Sequence, residues 1–160
     1  MRIIGIDPGF GRMGYGVIES SNKGRTWSAL TWGCLETSAK KTLIARLQEL
    51  RDKINELVKE FKPTAASVEK LYFFNNAKTA MDVGQARGVI LLTLLDHDLK
   101  IYEFTPLEIK QALTGYGRAE KSQMQKMAAM VLGVKEKIKS DDAADALAGA
   151  YCAAVNFKIK

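Results

Sequence analysis

The chain has 160 residues, of which 47% are hydrophobic and 26% charged, and a formal net charge of +6. This length supports a single core without disulfide or metal staples, and the basic balance favours polyanionic partners without naming one. Two distant cysteines, Cys34 and Cys152, form no ligand pair with the one histidine, His97, and read as buried thiols of a reducing compartment. No charged-then-apolar leader is present and no apolar run is long enough to span a bilayer, so the expectation is one cytoplasmic domain, 1–160, with no membrane contact.

Residues 2–7 read as a first strand, apolar almost throughout, which is the pattern of a strand buried on both faces and central to its sheet. Residues 14–20 and 27–35 follow as second and third strands, with a glycine-rich link before them and Asn22-Lys23-Gly24 as the turn between them. Together they predict an antiparallel meander. Residues 42–61 predict a helix, because Leu43, Leu47, Leu50, Ile54, Leu57 and Val58 recur at helical spacing, and Lys62-Pro63 ends it. Residues 65–71 return as a strand, and a helix between strands of one sheet implies an α/β layered domain. A helix over 75–95 is polar in its first half and apolar on more than one face from 88 to 95. Such a helix packs in the core or against another subunit. A short strand at 101–104, helices at 106–113 and 120–132, a charged linker at 135–139 and an alanine-rich helix at 141–157 complete the chain.

Acidic residues stand where apolar elements begin or end. Asp7 closes the first strand just before Pro8-Gly9, where the plain alternative is a turn-capping aspartate. Glu69 lies near the end of the 65–71 strand. Asp141 and Asp142 open the last helix, and Asp145 follows among alanines, past the reach of the helix macrodipole. Carboxylate oxygens are the ligands of hard divalent cations, and two ions about 4 Å apart activate a water and stabilise a leaving oxygen in phosphodiester cleavage. Helix geometry leaves open whether Asp141 or Asp142 acts with Asp145, since spacings of three and four share a face. Ser140 or Asp141 also suits the N-cap. Lys110, Arg118 and Lys121 bracket a glycine loop suited to backbone phosphate. Tyr72-Phe73-Phe74 follow Glu69 and cannot all enter one core, so at least one of these aromatics is available to stack on an unpaired base.

The segments GIDPGFGRMGYGVI, VEKLYFFNNAKTA, GQARGVI, EIKQALTGYGRAEKSQM and DDAADALAGAYC stand in the order in which they occur in the RuvC family of Holliday-junction resolvases, and the chain resembles that family along nearly its whole length. The resemblance implies an RNase H-like fold and a homodimer acting on four-way junction DNA. It further implies cooperation with the RuvA–RuvB branch-migration complex. The implied activity is paired symmetric nicking with two Mg²⁺ ions per active site, Mn²⁺ being an alternative. Carried over by position, the catalytic and metal-binding acids are Asp7, Glu69, Asp142 and Asp145, and the D-A-A-D spacing selects Asp142 over Asp141. The implied DNA contacts are Lys110, Lys121 and the aromatic Tyr72, beside which Phe73 and Arg118 are candidates from the residues themselves. The glycines after Asp7 then read as room for a metal and a phosphodiester as well as the means of turning the chain. Two rival readings are a phosphotransferase with an Asp-x-Gly phosphate turn, for which 160 residues leave no second lobe, and a junction-binding protein without catalysis. Metal-dependent cleavage separates the last from a nuclease.

Overall fold

The computed structural model describes residues 1–21, 24–70 and 77–156, and of residues 77–79 the backbone alone. Five strands, β1 (Arg2–Asp7), β2 (Arg12–Ser21), β3 (Thr26–Glu36), β4 (Ala65–Glu69) and β5 (Lys100–Phe104), form one sheet in the order β3-β2-β1-β4-β5. β1 to β3 run antiparallel as the expected meander, whereas β4 and β5 run parallel to β1. β1 is the central strand, and Ile3, Ile4 and Ile6 along it are almost wholly buried. The turn at 22–23 lies outside the described residues, but Gly24 beside it has φ 83°, a left-handed conformation that glycine adopts freely.

Helices α1 (Leu43–Phe61) and α2 (Ala77–Leu95) cover one face of the sheet, where Leu50, Ile54, Leu57, Ile90 and Leu94 pack on Ile4, Ile6, Ala66 and Val68. Helices α3 (Pro106–Thr114), α4 (Lys121–Val131) and α5 (Asp141–Asn156) cover the other, around Ile3, Ile18, Ala65 and Leu147. Local chemistry sets the helix ends. The Thr42 hydroxyl accepts from Ala45 N at 3.3 Å to start α1, and Lys62, with φ 48°, closes it ahead of Pro63. Thr105 and Glu108 form a reciprocal capping box at α3.

α5 sits directly on the backbone of β1 and β2. A Cβ at Gly5 would lie 1.9 Å from the Ala146 carbonyl oxygen, one at Gly14 would lie 2.0 Å from that of Asp142, and one at Gly16 would lie 2.7 Å from a Leu147 methyl. Residues alternate faces along a strand, so Ile3, Gly5 and Asp7 share the α5 face with Ala65, Ser67 and Glu69, their parallel neighbours. On α5, Asp142, Asp145, Ala146 and Gly149 recur at the three- and four-residue spacing of one helix face. The glycines of the sheet and the alanines of the helix are therefore two halves of a single close contact.

Within the single chain the 75–95 helix buries one face only, and one of the two cysteines expected to be buried is not. Ala86, Ile90, Thr93 and Leu94 enter the core, while Met81, Leu92 and Leu95 are 73%, 59% and 60% exposed. Cys34 is only half-buried, because β3 is an edge strand, whereas Cys152 on α5 is fully buried. His97 bonds to Asn55 at 2.7 Å, far from any ligand role. Gly5→Ala is expected to lower unfolding stability by about 3 kcal/mol, since helix or strand must shift to admit the methyl. A urea midpoint unchanged from wild type would contradict the packing described.

Candidate active site

β1 and β4 end side by side with Asp7 and Glu69 as their last residues, and the first turn and a half of α5 crosses above them. Ser140 caps α5, its hydroxyl accepting from Ala143 N at 3.4 Å and its carbonyl from Ala144 N. This places Asp141 and Asp142 at the helix start and Asp145 one turn later.

The doubled aspartate splits by direction. Asp141 turns toward α4, accepting from Gln125 Nε2 at 2.7 Å and Lys121 Nζ at 3.1 Å. Asp142 turns toward β2, and its Oδ2 takes the Arg12 guanidinium, with Nη2 at 2.8 Å and Nε at 3.0 Å. The same oxygen accepts from the Ser140 hydroxyl at 3.3 Å and from Cys34 Sγ at 3.6 Å. Burial, followed by the charge of Asp142, pushes the Cys34 thiol up.

The remaining three carboxylates are strained electrostatically. As a residue Asp7 keeps some solvent contact, yet its carboxyl is enclosed enough that burial holds it well above the usual carboxylate range, with Glu69, Asp145 and Asp142 adding repulsion. Glu69 is pushed up to about 7 by burial and by Asp145, opposed by a hydrogen bond with Asp7 and by Lys110. Asp145 is raised by burial, against the pull of Lys121 and Lys110. Lys110 and Lys121 thus stand beside the acids. Arg118 is exposed at the end of the glycine loop, and no described contact brings it to them. Tyr72, Phe73 and Phe74 lie outside the described residues.

Among the described residues, no three His, Cys, Asp or Glu side chains are already drawn together as an ion cage. Asp142 is held by Arg12, and the other three repel one another. The donor set nevertheless fits a hard divalent ion. Every candidate ligand is a carboxylate, the crowding of negative charge is the kind a cation relieves, and Mg²⁺ takes only one or two carboxylates with waters and substrate oxygens for the rest. The glycine reading divides. A Cβ at Gly9 would lie 2.0 Å from the Arg12 carbonyl oxygen, so that glycine serves the turn of its own chain. The turn is also clamped from outside. Arg46 lies 3.6 Å over the Phe10 ring and donates to Thr37 Oγ1 at 2.8 Å, and Thr37 Oγ1 donates to the Phe10 carbonyl at 2.8 Å.

The sequence reading missed Arg12 and Cys34. Their shared partner stands more than a hundred residues away, on α5, and no local pattern signals it.

The family described as crossover junction endodeoxyribonuclease RuvC matches residues 3–153. The protein of that name from Petrotoga mobilis is 49% identical over 152 residues, which is 95% of this chain and 92% of the relative. The RuvC structure of Thermus thermophilus superposes with a TM-score of 0.85 at 32% identity, covering 95% of this chain and 92% of that one. The same protein in complex with a Holliday junction substrate gives 0.84 at 28% identity over the same shares.

Carboxylates with raised pKa favour the folded state below their unfolded values near 4, and that advantage is lost as pH rises through the folded values. Metal-free protein is therefore expected to lose stability between about pH 4.5 and about pH 7, the interval over which Glu69 ionises. Glu69→Gln is expected to melt higher than wild type at pH 8, with the difference shrinking at pH 5. Equal melting temperatures at pH 8 would rule out the desolvated-acid description.

Proposed function

The chain belongs to the RuvC family of crossover junction endodeoxyribonucleases, and we propose that it resolves four-way DNA junctions in recombination and repair by paired symmetric nicks. The observation that carries this reading is the convergence of Asp7, Glu69 and Asp145 at one end of an RNase H-like sheet, where burial raises the pKa of all three, Glu69 and Asp145 add to the rise at Asp7, and Asp145 adds to that at Glu69. The whole of 1–160 acts as one nuclease domain. It works in the cytoplasm with the RuvA–RuvB complex, and no helix of the described residues is long and apolar enough to cross a membrane.

In this reading Asp7, Glu69, Asp142 and Asp145 hold two Mg²⁺ ions, or Mn²⁺ in their place. Such ions supply Lewis-acid polarisation of the scissile phosphate and charge for the leaving 3′-oxygen. The rest falls to the chain. Asp7, Glu69 and Asp145 would serve as ligands in their ionised forms, which Lys110 favours at Glu69 and Asp145 and Lys121 favours at Asp145. The same two lysines, with Arg118, hold the phosphates on either side of the cut. Tyr72 and Phe73, which follow Glu69 in the chain, stack on bases unpaired at the crossover. Gly14 and Gly5 keep α5 at contact distance, so the acids of helix and sheet face one phosphodiester.

Two like-polarity cuts need two such centres, and one chain carries one. The exposed apolar strip of α2, formed by Met81, Leu92 and Leu95 with Gly84 and Gly88 between them, suits a second copy packed about a twofold axis. Exposed glycines let two helix backbones come close there, and a Cβ at either would meet nothing within 4 Å in the single chain.

Asp7→Asn is expected to lower Mg²⁺-dependent nicking of a synthetic four-way junction by about two orders of magnitude or more, while junction binding in EDTA persists. A variant that nicks at the wild-type rate sinks the assignment. Leu92→Glu is expected to halve the solution mass measured by light scattering and to uncouple the two nicks, so that single-nicked junctions accumulate. A wild-type chain of monomer mass would instead remove the dimer from the proposal.

A further inference from the structure

Arg12 stands between two acids. Its fork meets Asp142 Oδ2 at 2.8 and 3.0 Å, and its third nitrogen lies 3.5 Å from Glu36 Oε1. Glu36 is also its directly paired neighbour in the β2–β3 register, so the second acid is fixed beside Arg12 by the sheet itself. The pair with Asp142 is reachable by solvent, the Arg12 side chain being 54% and that of Asp142 28% exposed. An ion pair of that exposure is weak enough to exchange partners. A guanidinium and a divalent cation also repel each other across one carboxylate.

We infer that Arg12 is a positioning residue that holds Asp142 away from the other three acids in the metal-free protein and passes to Glu36 when a divalent ion takes Asp142. The inference rests on the metal-site reading above and adds to it a built-in competitor for one ligand. It gives Glu36 a task. Without a second acid in reach, the released guanidinium would remain beside the ion it had just made room for.

The test is Mn²⁺ binding to the full chain without DNA, followed by the electron paramagnetic resonance signal of the free ion. Arg12→Met is expected to tighten binding by about two- to fivefold, the range set by an exposed ion pair. Removing any nearby positive charge tightens cation binding somewhat, so the same substitution is made in Asp142→Asn, where only that general effect survives and the gain is expected to be smaller. Glu36→Gln is expected to weaken binding, and to do so less when Arg12 is already Met. Equal effects of Arg12→Met in both backgrounds overturn the inference, as does weaker binding by Arg12→Met, which would make Arg12 a support for Asp142 rather than its competitor. If Arg12→Met does not fold, Glu36→Gln is compared in wild type and in Asp142→Asn, and a loss of Mn²⁺ binding no larger in wild type overturns the inference. Wild-type protein that binds no Mn²⁺ at all would overturn the metal site itself, a result distinct from loss of the Arg12 effect.

Discussion

The distance between α5 and the sheet is the constraint on which the site depends. Gly5, Gly14 and Gly16 present bare backbone on one face of β1 and β2, and α5 answers with Ala146, Leu147 and the backbone of Asp142. Helix and strand come closer than any side chain on the strand would permit. That contact decides the chemistry as well as the packing, because Asp7 lies two residues beyond Gly5 on the same face and Asp145 stands next to Ala146. A helix displaced outward by a methyl would carry Asp142 and Asp145 away from Asp7 and Glu69 together. The small residues are thus the positioning elements of an acid cluster to which they contribute no functional group.

The charge on the molecule is arranged in two opposed layers. The chain as a whole is basic, with net charge +6, which suits a DNA partner. Within that field burial and crowding raise Asp7 and Asp145 and push Glu69 up to about 7, and Lys110, Lys121 and Arg12 each offset part of the negative charge. The cations do different work. Lys121 ties Asp141 to α4 and thereby separates the two adjacent aspartates, Lys110 favours ionised Glu69 and Asp145, and Arg12 neutralises Asp142.

Much of this was legible in the sequence. The apolar run of β1 placed it at the sheet centre, the heptad-like leucines with Thr42 and Pro63 set the limits of α1, and the acids stood out because they closed or opened apolar elements. Placing Asp7 and Glu69 on one face needed the β1–β4 register, which no local pattern supplies, yet period-two alternation had already made it a single question. The choice between Asp141 and Asp142 was beyond helix geometry. The family resemblance implies Asp142, and in the structure Asp141 points to α4. What stayed hidden depended on contacts between distant segments. Arg12 read as an ordinary residue in a glycine-rich link because its partner is on α5, and β2 begins earlier than the pattern showed, at Arg12 itself. Gly9 suggested room for a ligand, yet that space is occupied by the chain's own carbonyl. The second apolar face of α2 signalled burial, and within one chain that face is left uncovered.

The order of the elements along the chain adds a consequence in time. Asp7 belongs to β1 and Asp145 to α5, so the two acids are made far apart in time during synthesis. Contacts between such distant segments form late and slowly, and chains fold as they emerge from the ribosome. A nascent chain that has already built its meander and its first helix layer still lacks half its acids. The acid cluster is therefore complete only with α5, after the sheet and its first helix layer have had time to form. A chain broken off before α5 would leave the glycines of β1 and β2 without the helix that packs on them.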